Sequence, residues 1–319
     1  MTVTEPARVE AAVVSEPPAQ RDRRRRNPTL SRPGVPESVL KVVVLGFAVL
    51  AVVVPFLGIL STSLSSKEHL DAKGGFVLWP DAVSLDAYRT VLSGGVVSKA
   101  LLVSVGVTLI GTVLSLLVTA MLAYGLSRPG SFGSRPALLI VLFSLLFSPG
   151  LLPVYLTVRG FGLIDTYAAL ILPGLVGGFN VIVLRSFFVS IPAELLESAR
   201  IDGAGEWQIF TRIVTPLSKA VLAVIGLFYG VGYWNAFFNA LIYLNDQGRW
   251  PLPLVLRTYV INNTQISAGD LAASGAGALP AQPALQMAML LIAVVPILIV
   301  YPFLQRHFTK GVITGAVKG

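Results

Sequence analysis

Long apolar segments dominate this chain and constrain its fold more than any other feature. There are six of them, and they cover residues 40–60, 100–126, 137–158, 167–188, 217–244 and 285–304. Each has about 20 residues or more, the length that an α-helix needs to cross roughly 30 Å of hydrocarbon. Charged residues make up only 13% of the chain, whereas soluble domains carry about 25%. The composition therefore excludes an ordinary soluble enzyme and predicts a membrane protein with several spans.

The segments must be helical, because a chain inside lipid has to satisfy its backbone hydrogen bonds internally. We therefore predict an all-α integral membrane protein with six transmembrane helices. No acidic residue falls inside a segment, and the basic residues Arg185 and Lys219 lie near segment ends, where long side chains reach the interface. An ion-coupled carrier usually needs an ionisable group at membrane depth, so a carrier that acts alone is disfavoured.

Proline and glycine interrupt several segments, notably at Pro149-Gly150, Pro173-Gly174 and Gly177-Gly178. Such breakers fit two interpretations, which the sequence leaves open. They are either ordinary kinks of transmembrane helices or the bends of a bundle that surrounds a path.

The distribution of Lys and Arg predicts the orientation. If the N-terminus is cytoplasmic and the helices alternate, most of the 24 Lys and Arg residues fall in cytoplasmic segments. Both termini are then cytoplasmic, and the long loops 61–99 and 245–284 are external. Much of the excess belongs to the N-terminal tail, so the internal loops alone decide little.

We divide the chain into a tail, residues 1–36, and a transmembrane domain, residues 37–319. The tail is rich in Pro, Glu, Ala and Arg, a composition typical of disorder. Its basic run Arg23–Arg26 is compatible with nucleic acid, with an export signal or with anionic lipid. The long apolar segment that follows favours lipid, and we predict no nucleic-acid partner.

The residues that usually build catalytic or metal sites are scarce. The chain has no Cys and only two His residues, His69 and His307, far apart in the sequence. It also lacks the Gly-x-x-x-x-Gly-Lys-Ser/Thr loop that binds nucleotide phosphates. We therefore predict no catalytic residue, no metal site and no cofactor in this chain.

The most informative stretch is the predicted cytoplasmic loop 189–216, between the fourth and fifth segments. Pro192 suits the start of a helix and Gly203 suits its end. Within that helix Leu195 and Ala199 are one turn apart, which predicts a shared face. A second amphipathic turn then leads to the fifth segment. The loop also fits an amphipathic segment that rests on lipid headgroups.

The loop resembles the EAA signature of ABC importer permeases. The triplet Glu197-Ser198-Ala199 is followed after three residues by Gly203, and after nine more by Ile213 and the pair Thr215-Pro216. The family pattern has Ala where Ser198 stands and Leu where Thr215 stands, so these two residues are departures from it.

Two further stretches are similar to sugar permeases of the maltose class, in the branch that handles oligosaccharide and polysaccharide fragments. They are Tyr233–Leu244 and the C-terminal stretch Tyr301–Phe308, and the resemblance as a whole covers residues 40–319. It implies the type I ABC importer permease fold, with six transmembrane helices and a cytoplasmic coupling helix. The implied location is the plasma membrane of a bacterium, with multiple passes and cytoplasmic termini.

In such permeases the coupling helix inserts into a groove on a cytoplasmic ATPase. The resemblance therefore implies that the following residues couple transport to ATP hydrolysis: Glu197, Ala199, Arg200, Asp202, Gly203, Ala204 and Pro216. It places ATP and Mg on a separate ATPase dimer. The other implied partners are a second homologous permease chain, an extracytoplasmic sugar-binding protein and membrane lipid.

A candidate substrate path is carried by polar and aromatic residues of the fourth and fifth segments. These are Tyr233, Trp234, Asn235, Asn239 and Asn180. A continuous helix would place Asn235 and Asn239 one turn apart on the same side, where their amides could bind a sugar. Alternatively, these groups make hydrogen bonds between helices.

The resulting hypothesis is the permease subunit of an ATP-driven importer for a carbohydrate, with alternating access driven by a separate ATPase. The branch it resembles indicates an oligosaccharide. The alternatives are an importer of a polyamine, amino acid or phosphonate, and a stand-alone carrier. The absence of charge at membrane depth weakens charged solutes, and the aromatic residues of the fifth segment favour sugars. The sequence does not identify the sugar, its length, the ATPase or the partner permease.

Overall fold

The computed structural model of the protein describes residues 35–93, 95–264 and 280–316, and every regular element in this part is helical. The α-helices in chain order are α1 (Val35–Ser63), α2 (Lys67–Lys73), α3 (Asp86–Leu92), α4 (Val96–Ser127), α5 (Ser134–Leu146), α6 (Leu151–Gly160), α7 (Ala168–Ile171), α8 (Gly178–Val189), α9 (Ala193–Ile201), α10 (Glu206–Ile209), α11 (Thr215–Leu217), α12 (Lys219–Trp234), α13 (Phe237–Tyr243), α14 (Leu252–Leu256) and α15 (Gln282–Ala316). Turns of 3-10 helix lie at Leu172–Gly174 and Gln247–Arg249, and π-helical turns lie at Phe210–Val214 and Arg257–Ile261. The predicted all-α class is confirmed, while nearly all of the predicted tail 1–36 lies outside the described residues.

The chain separates into two compact units, residues 1–52 and 53–319. In the first unit, the described part of α1 is apolar and exposes nearly all of its side chains, as expected of a helix surrounded by lipid. Its polar beginning carries an ion pair one turn apart, with Lys41 Nζ 2.6 Å from Glu37 Oε1. The second unit contains the other helices and the sites described below.

Three of the described helices are long and apolar enough to cross a membrane without interruption, namely α1, α4 and α15. Two further pairs qualify only if each is taken as one bent span, which raises the number to five. They are residues 168–174 with α8, bent by 51°, and residues 206–217 with α12, bent by 84°. Of the six predicted segments, three are therefore uninterrupted helices and three are broken.

The third predicted segment, 137–158, is divided between α5 and α6, and each of these helices is too short to cross alone. Phe147 is extended with a φ of −118°, and Gly150 takes the left-handed φ of +81°, which favours glycine. Pro149 between them has no N–H to donate to a helical ladder. At Pro149-Gly150 the helix is interrupted and not merely kinked.

The frame of the second unit is the packing of α4 against α12 and α8. A Cβ at Gly111 of α4 would come within 2.8 Å of the Tyr233 ring on α12. A Cβ at Gly230 of α12 would lie 3.5 Å from Thr112 Oγ1 on α4. Small residues at such crossings let helix backbones approach closely, which is how helices associate in lipid. Glycine at position 111 is thus required for the close contact of these two helices.

Candidate functional site: the loop between α8 and α12

The candidate coupling helix is α9, which starts directly after Pro192, as the sequence predicts. The helix is closed by Gly203, which takes the left-handed φ of +83°. The N–H of Ala204 there donates to the carbonyl of Ala199 at 2.9 Å. Because an L side chain is strained at this φ, glycine is the residue that permits this ending.

One face of α9 packs inward and the opposite face is open. Leu196 and Ala199 are buried, whereas Leu195 is 49% exposed. The prediction that Leu195 shares the face of Ala199 is therefore wrong, because the helix packs through residues three apart, Leu196 and Ala199. The open surface continues over the end of the helix and consists of Glu197, Arg200, Ile201, Asp202 and Gly203. Ala199, a predicted contact residue, faces the protein interior.

Glu206, just beyond the turn, connects α9 to α4. Its Oε1 accepts hydrogen bonds from Arg200 Nη2 at 2.9 Å and Nε at 3.1 Å, and its Oε2 accepts one from Tyr124 Oη at 2.6 Å. The hydrogen bond from Tyr124, and after it that from Arg200, holds the pKa of Glu206 below its ordinary value. Arg128 adds a cation–π contact to this group of side chains, with its Cζ 4.2 Å from the centre of the Tyr124 ring. Arg200 is therefore bound within its own chain.

Sequence reasoning assigned Arg200 to contacts with a partner and missed the group formed by Glu206, Tyr124 and Arg128. No motif links Tyr124 to Glu206, because they are 82 residues apart. The local signal is the spacing of Tyr124 and Arg128, four residues apart at the end of an apolar segment, which favours contact between the two side chains.

Pro216 lies where the loop meets α12. The π-helical turn Phe210–Val214 continues into α11, which contains Pro216, and the helix ends at Ser218 with a φ of −98° and a ψ of 10°. The chain bends by 84° between residues 206–217 and α12. Pro216 therefore stiffens the short helix before the bend and does not begin the membrane helix itself.

Tyr233, a candidate of the substrate path, is engaged inside the protein. Its hydroxyl donates to the carbonyl of Ile171 at 3.1 Å and lies 2.7 Å from Ser115 Oγ. A tyrosine hydroxyl has one proton, so Ser115 is the donor in the second contact. This arrangement matches the alternative in which the fifth segment makes hydrogen bonds between helices.

Tyr229, one turn before Tyr233, makes the complementary contact. Its hydroxyl accepts from the N–H of Gly177 at 2.9 Å and lies 2.6 Å from Thr119 Oγ1. Ile171 and Gly177 flank the 51° bend in the fourth segment. The two tyrosines thus satisfy one carbonyl and one N–H beside this bend, and they bind it to α4 and α12.

Of the four remaining candidates for the substrate path, two are buried and two are exposed. Trp234 and Asn180 are only 7% and 9% exposed. Asn235 and Asn239 are exposed, and Asn235 Nδ2 donates to Val231 O at 2.9 Å. The prediction of one continuous helix under both amides is wrong, because α12 ends before Asn235 and α13 begins two residues later. Asn235 itself ends the helix, with a φ of −93° and a ψ of 8°.

Within the described ranges, no group of three or more His, Cys, Asp or Glu residues is placed to hold a metal ion. His69 Nδ1 lies 3.2 Å from Asp81 Oδ2 in the loop after α2. His307 lies outside the residues whose side chains the structure describes.

Comparisons with known proteins agree on one family. Residues 102–314 match the family described as "Binding-protein-dependent transport system inner membrane component". The chain is 45% identical to the polygalacturonan/rhamnogalacturonan transport system permease protein YtcP of Bacillus subtilis (strain 168), over 84% of this chain and 93% of the relative. It is 42% identical to protein LplC of the same organism, over 88% of this chain and 94% of the relative. A solved bacterial ABC transporter involved in the import of the acidic polysaccharide alginate has a chain that is similar with a TM-score of 0.78 and 28% identity, covering 87% of this chain and 99% of that chain.

Proposed function

Because this chain belongs to the family of binding-protein-dependent transport system inner membrane components, we propose that it is the permease subunit of an ATP-driven importer of an oligosaccharide. The predicted family and type I importer fold are confirmed, and the chain is a transport subunit of the membrane. The carbohydrate is supported by two relatives, one named for polygalacturonan and rhamnogalacturonan and the other for alginate. The family description supports a solute-binding protein as the partner that delivers the substrate.

The observation that carries the coupling role is the open surface at the end of α9. Ile201 is 86% exposed there, and nothing lies within 4 Å of a Cβ built at Gly203. An exposed apolar side chain beside an uncovered glycine suits a closely fitting groove on a cytoplasmic ATPase. In this proposal Glu197, Asp202 and Gly203 contact the ATPase, whereas Ala199, Arg200, Ala204 and Pro216 position the surface.

The same loop offers two routes by which ATPase motion reaches the membrane. The chain runs from α8 into α9 through only three residues, 190–192. The hydrogen bonds of Glu206 with Arg200 and Tyr124 provide a second, lateral connection to α4. A displacement of α9 would therefore move the fourth segment and α4 together.

The proposed assembly contains this chain, a second homologous permease, an ATPase dimer and an external sugar-binding protein. ATP and Mg belong to the ATPase dimer. The loop that contains α9 and both chain termini are cytoplasmic, in the plasma membrane of a bacterium. The orientation is supported by the Lys and Arg distribution.

We place the substrate path beside the break between α12 and α13, where Asn235 and Asn239 are exposed. Irregular backbone at membrane depth is tolerated where it is buried in protein or lines a water-filled cavity. Exposed amides at such a break are available to sugar hydroxyls. Tyr233, Trp234 and Asn180 have a supporting role in this proposal, since they are packed inside the frame.

The coupling role is tested with Ile201→Asp in the importer reconstituted with its ATPase, partner permease and binding protein. We expect the ATP hydrolysis stimulated by sugar-loaded binding protein to fall at least about tenfold, because a charge enters an apolar contact. Folding should be retained, since the side chain is 86% exposed. Phe132→Asp is the matched control, because Phe132 is also a highly exposed apolar residue, in the loop between α4 and α5. If the importers with Ile201→Asp and with Phe132→Asp both show the stimulated ATP hydrolysis of the wild type, α9 is not the coupling surface.

A further inference from the structure

An arginine lies in a part of the structure that carries mostly apolar side chains. Arg257 begins the π-helical turn after α14, inside the apolar helical segment Leu252–Ile261. Leu252, Leu254 and Val255 of this segment are buried in the second unit. From the sequence alone, Arg257 belongs to the external loop 245–284 and no charge is expected at membrane depth. The structure places this cation on a packed apolar helix.

Arg257 contacts an aromatic ring and no carboxylate. Its Cζ lies 5.4 Å from the centre of the Phe237 ring, a distance typical of a cation–π contact. Among the described residues, no Asp or Glu lies within ion-pair distance of Arg257, whereas Arg249 pairs with both Asp165 and Asp246. The side chain is only partly exposed. Its N–H donors are therefore available to an anion that this part of the chain does not supply.

Phe237 locates the cation at the break in the fifth segment. It is the first residue of α13, and its N–H donates to Asn235 O at 2.8 Å. α12 has 16 residues and a length of about 24 Å, which is less than the roughly 30 Å of hydrocarbon, so a crossing that begins at Lys219 reaches the break before it leaves the membrane. Phe237 is 37% exposed and Asn235 is exposed. Broken backbone at this depth is tolerated beside a water-filled path, which would also keep a cation hydrated.

The chemistry of this group of side chains favours a sugar that carries a carboxylate. A guanidinium binds a carboxylate through two parallel hydrogen bonds, and this pairing is stronger than a neutral hydrogen bond. The exposed ring beside it suits the C–H face of a sugar, and the amide suits a hydroxyl. We propose that Arg257, Phe237 and Asn235 form a subsite for a carboxylate of the transported oligosaccharide, which makes the substrate an acidic sugar. This inference rests on the carbohydrate importer proposed above and adds the charge of its substrate.

The test measures uptake by the complete importer in proteoliposomes, with trigalacturonate as the probe. Its fully methyl-esterified form has the same rings without the charge, and maltotriose is a second neutral sugar. We expect the wild type to prefer trigalacturonate. Arg257→Gln should raise the KM for trigalacturonate about tenfold and leave the KM for the ester within about twofold. Arg257→Lys keeps the charge but loses the two parallel hydrogen bonds of the guanidinium, so it should retain only part of the preference.

Arg159→Gln is the matched control, because Arg159 is an exposed arginine at the end of α6 without an ion-pair partner among the described residues. It should leave both KM values unchanged. The measurements are made in phosphatidylcholine vesicles with and without phosphatidylglycerol, which separates a sugar carboxylate from a lipid phosphate. An effect of Arg257→Gln that is equal for acid and ester, and present only with phosphatidylglycerol, assigns Arg257 to lipid and overturns the proposal.

The other outcomes separate this inference from the proposed function. If Arg257→Gln leaves the ratio of the acid and ester KM values unchanged in both lipids, the subsite is wrong. Uptake of the neutral sugars alone overturns the acidic substrate and leaves the carbohydrate importer intact. If the wild-type importer takes up none of these three sugars, the acidic-sugar subsite is wrong, whereas the carbohydrate importer is overturned only if other oligosaccharides are not taken up either.

Discussion

Gly203 is required for its backbone conformation and not for space inside the chain. A Cβ at Gly203 or at Gly205 meets nothing within 4 Å, but φ is +83° at Gly203 and −72° at Gly205. We expect Gly203→Ala to destabilise the end of α9 by about 1 kcal/mol or more and to weaken ATPase stimulation, whereas Gly205→Ala should be nearly neutral. Thermal unfolding and substrate-stimulated ATP hydrolysis of the purified importer measure both effects.

Gly203→Asn separates conformation from contact at the same position. Asn tolerates a positive φ better than Ala, so it should recover stability. If a closely fitting ATPase also needs the open space, ATPase stimulation should remain low in this variant. Equal behaviour of the two alanine variants would contradict the conformational argument.

The Glu206 carboxylate accepts hydrogen bonds from both Arg200 of α9 and Tyr124 of α4. Glu206→Gln should reduce the coupling between substrate and ATP hydrolysis more than Glu194→Gln, an exposed control on α9 without a described partner. Tyr124→Phe should have a similar effect, and the double variant should be less harmful than the sum, because both remove one hydrogen bond. The measurement is the ratio of stimulated to basal ATP hydrolysis. Fully additive effects would show that the two side chains do not act together.

The lowered pKa of Glu206 gives the sign of its pH dependence. A carboxyl whose pKa is lower in the folded than in the unfolded state stabilises the fold while it is ionised. Its contribution is complete above the ordinary value of 4.5 and is lost as the pH falls through the lower folded value. The α9–α4 connection should therefore be unaffected between about pH 6 and 8, so a loss of coupling in that range has another cause.

At the scale of elements, Tyr229 and Tyr233 hold the bend of the fourth segment. Tyr229→Phe leaves the N–H of Gly177 without its side-chain partner, and Tyr233→Phe removes the side-chain hydrogen bond to the carbonyl of Ile171. Each substitution should lower the free energy of unfolding by about 1–2 kcal/mol. Thermal unfolding of the importer in detergent measures the loss.

The matched control is Tyr243→Phe, because Tyr243 is buried on α13 and its hydroxyl makes no hydrogen bond with the described residues. Removal of this hydroxyl should change the free energy of unfolding little. The uptake KM for the sugar discriminates the two interpretations of Tyr233. If Tyr233 has only a structural role, Tyr233→Phe leaves this KM unchanged. A large rise in KM with unchanged stability would show that Tyr233 contacts the sugar.

Hydrophobic length predicted the uninterrupted helices α1, α4 and α15, because a long apolar run without consecutive breakers has no alternative to a helix in lipid. The broken segments were less predictable. Whether Pro149-Gly150 kinks a helix or ends it depends on which neighbours satisfy the freed backbone groups, and the sequence of the segment does not identify these neighbours. The turn at Gly203 was predictable because one residue determines it. The partner of Glu206 was not, since it depends on the tertiary packing of α4.

At the scale of the whole molecule, the broken segments determine the number of crossings. Six segments predict that the loop with Phe132 is cytoplasmic and the loop with Phe161 is external. If the divided segment 137–158 does not cross, these two loops lie on the same side. The chain contains no Cys, so single cysteines can report this without further changes.

We expect Trp79→Cys and Phe161→Cys to react with a membrane-impermeant maleimide in intact cells, after removal of any outer wall or membrane barrier. Phe132→Cys and Ile201→Cys should react only after the membrane is permeabilised. All four positions are at least two-thirds exposed, with values of 80%, 76%, 105% and 86%, so a lack of reaction reports the side of the membrane and not burial. Labelling of Phe132→Cys and Phe161→Cys from the same side would reduce the crossings to five. Labelling of Ile201→Cys from outside would place α9 away from any cytoplasmic ATPase and overturn the coupling proposal.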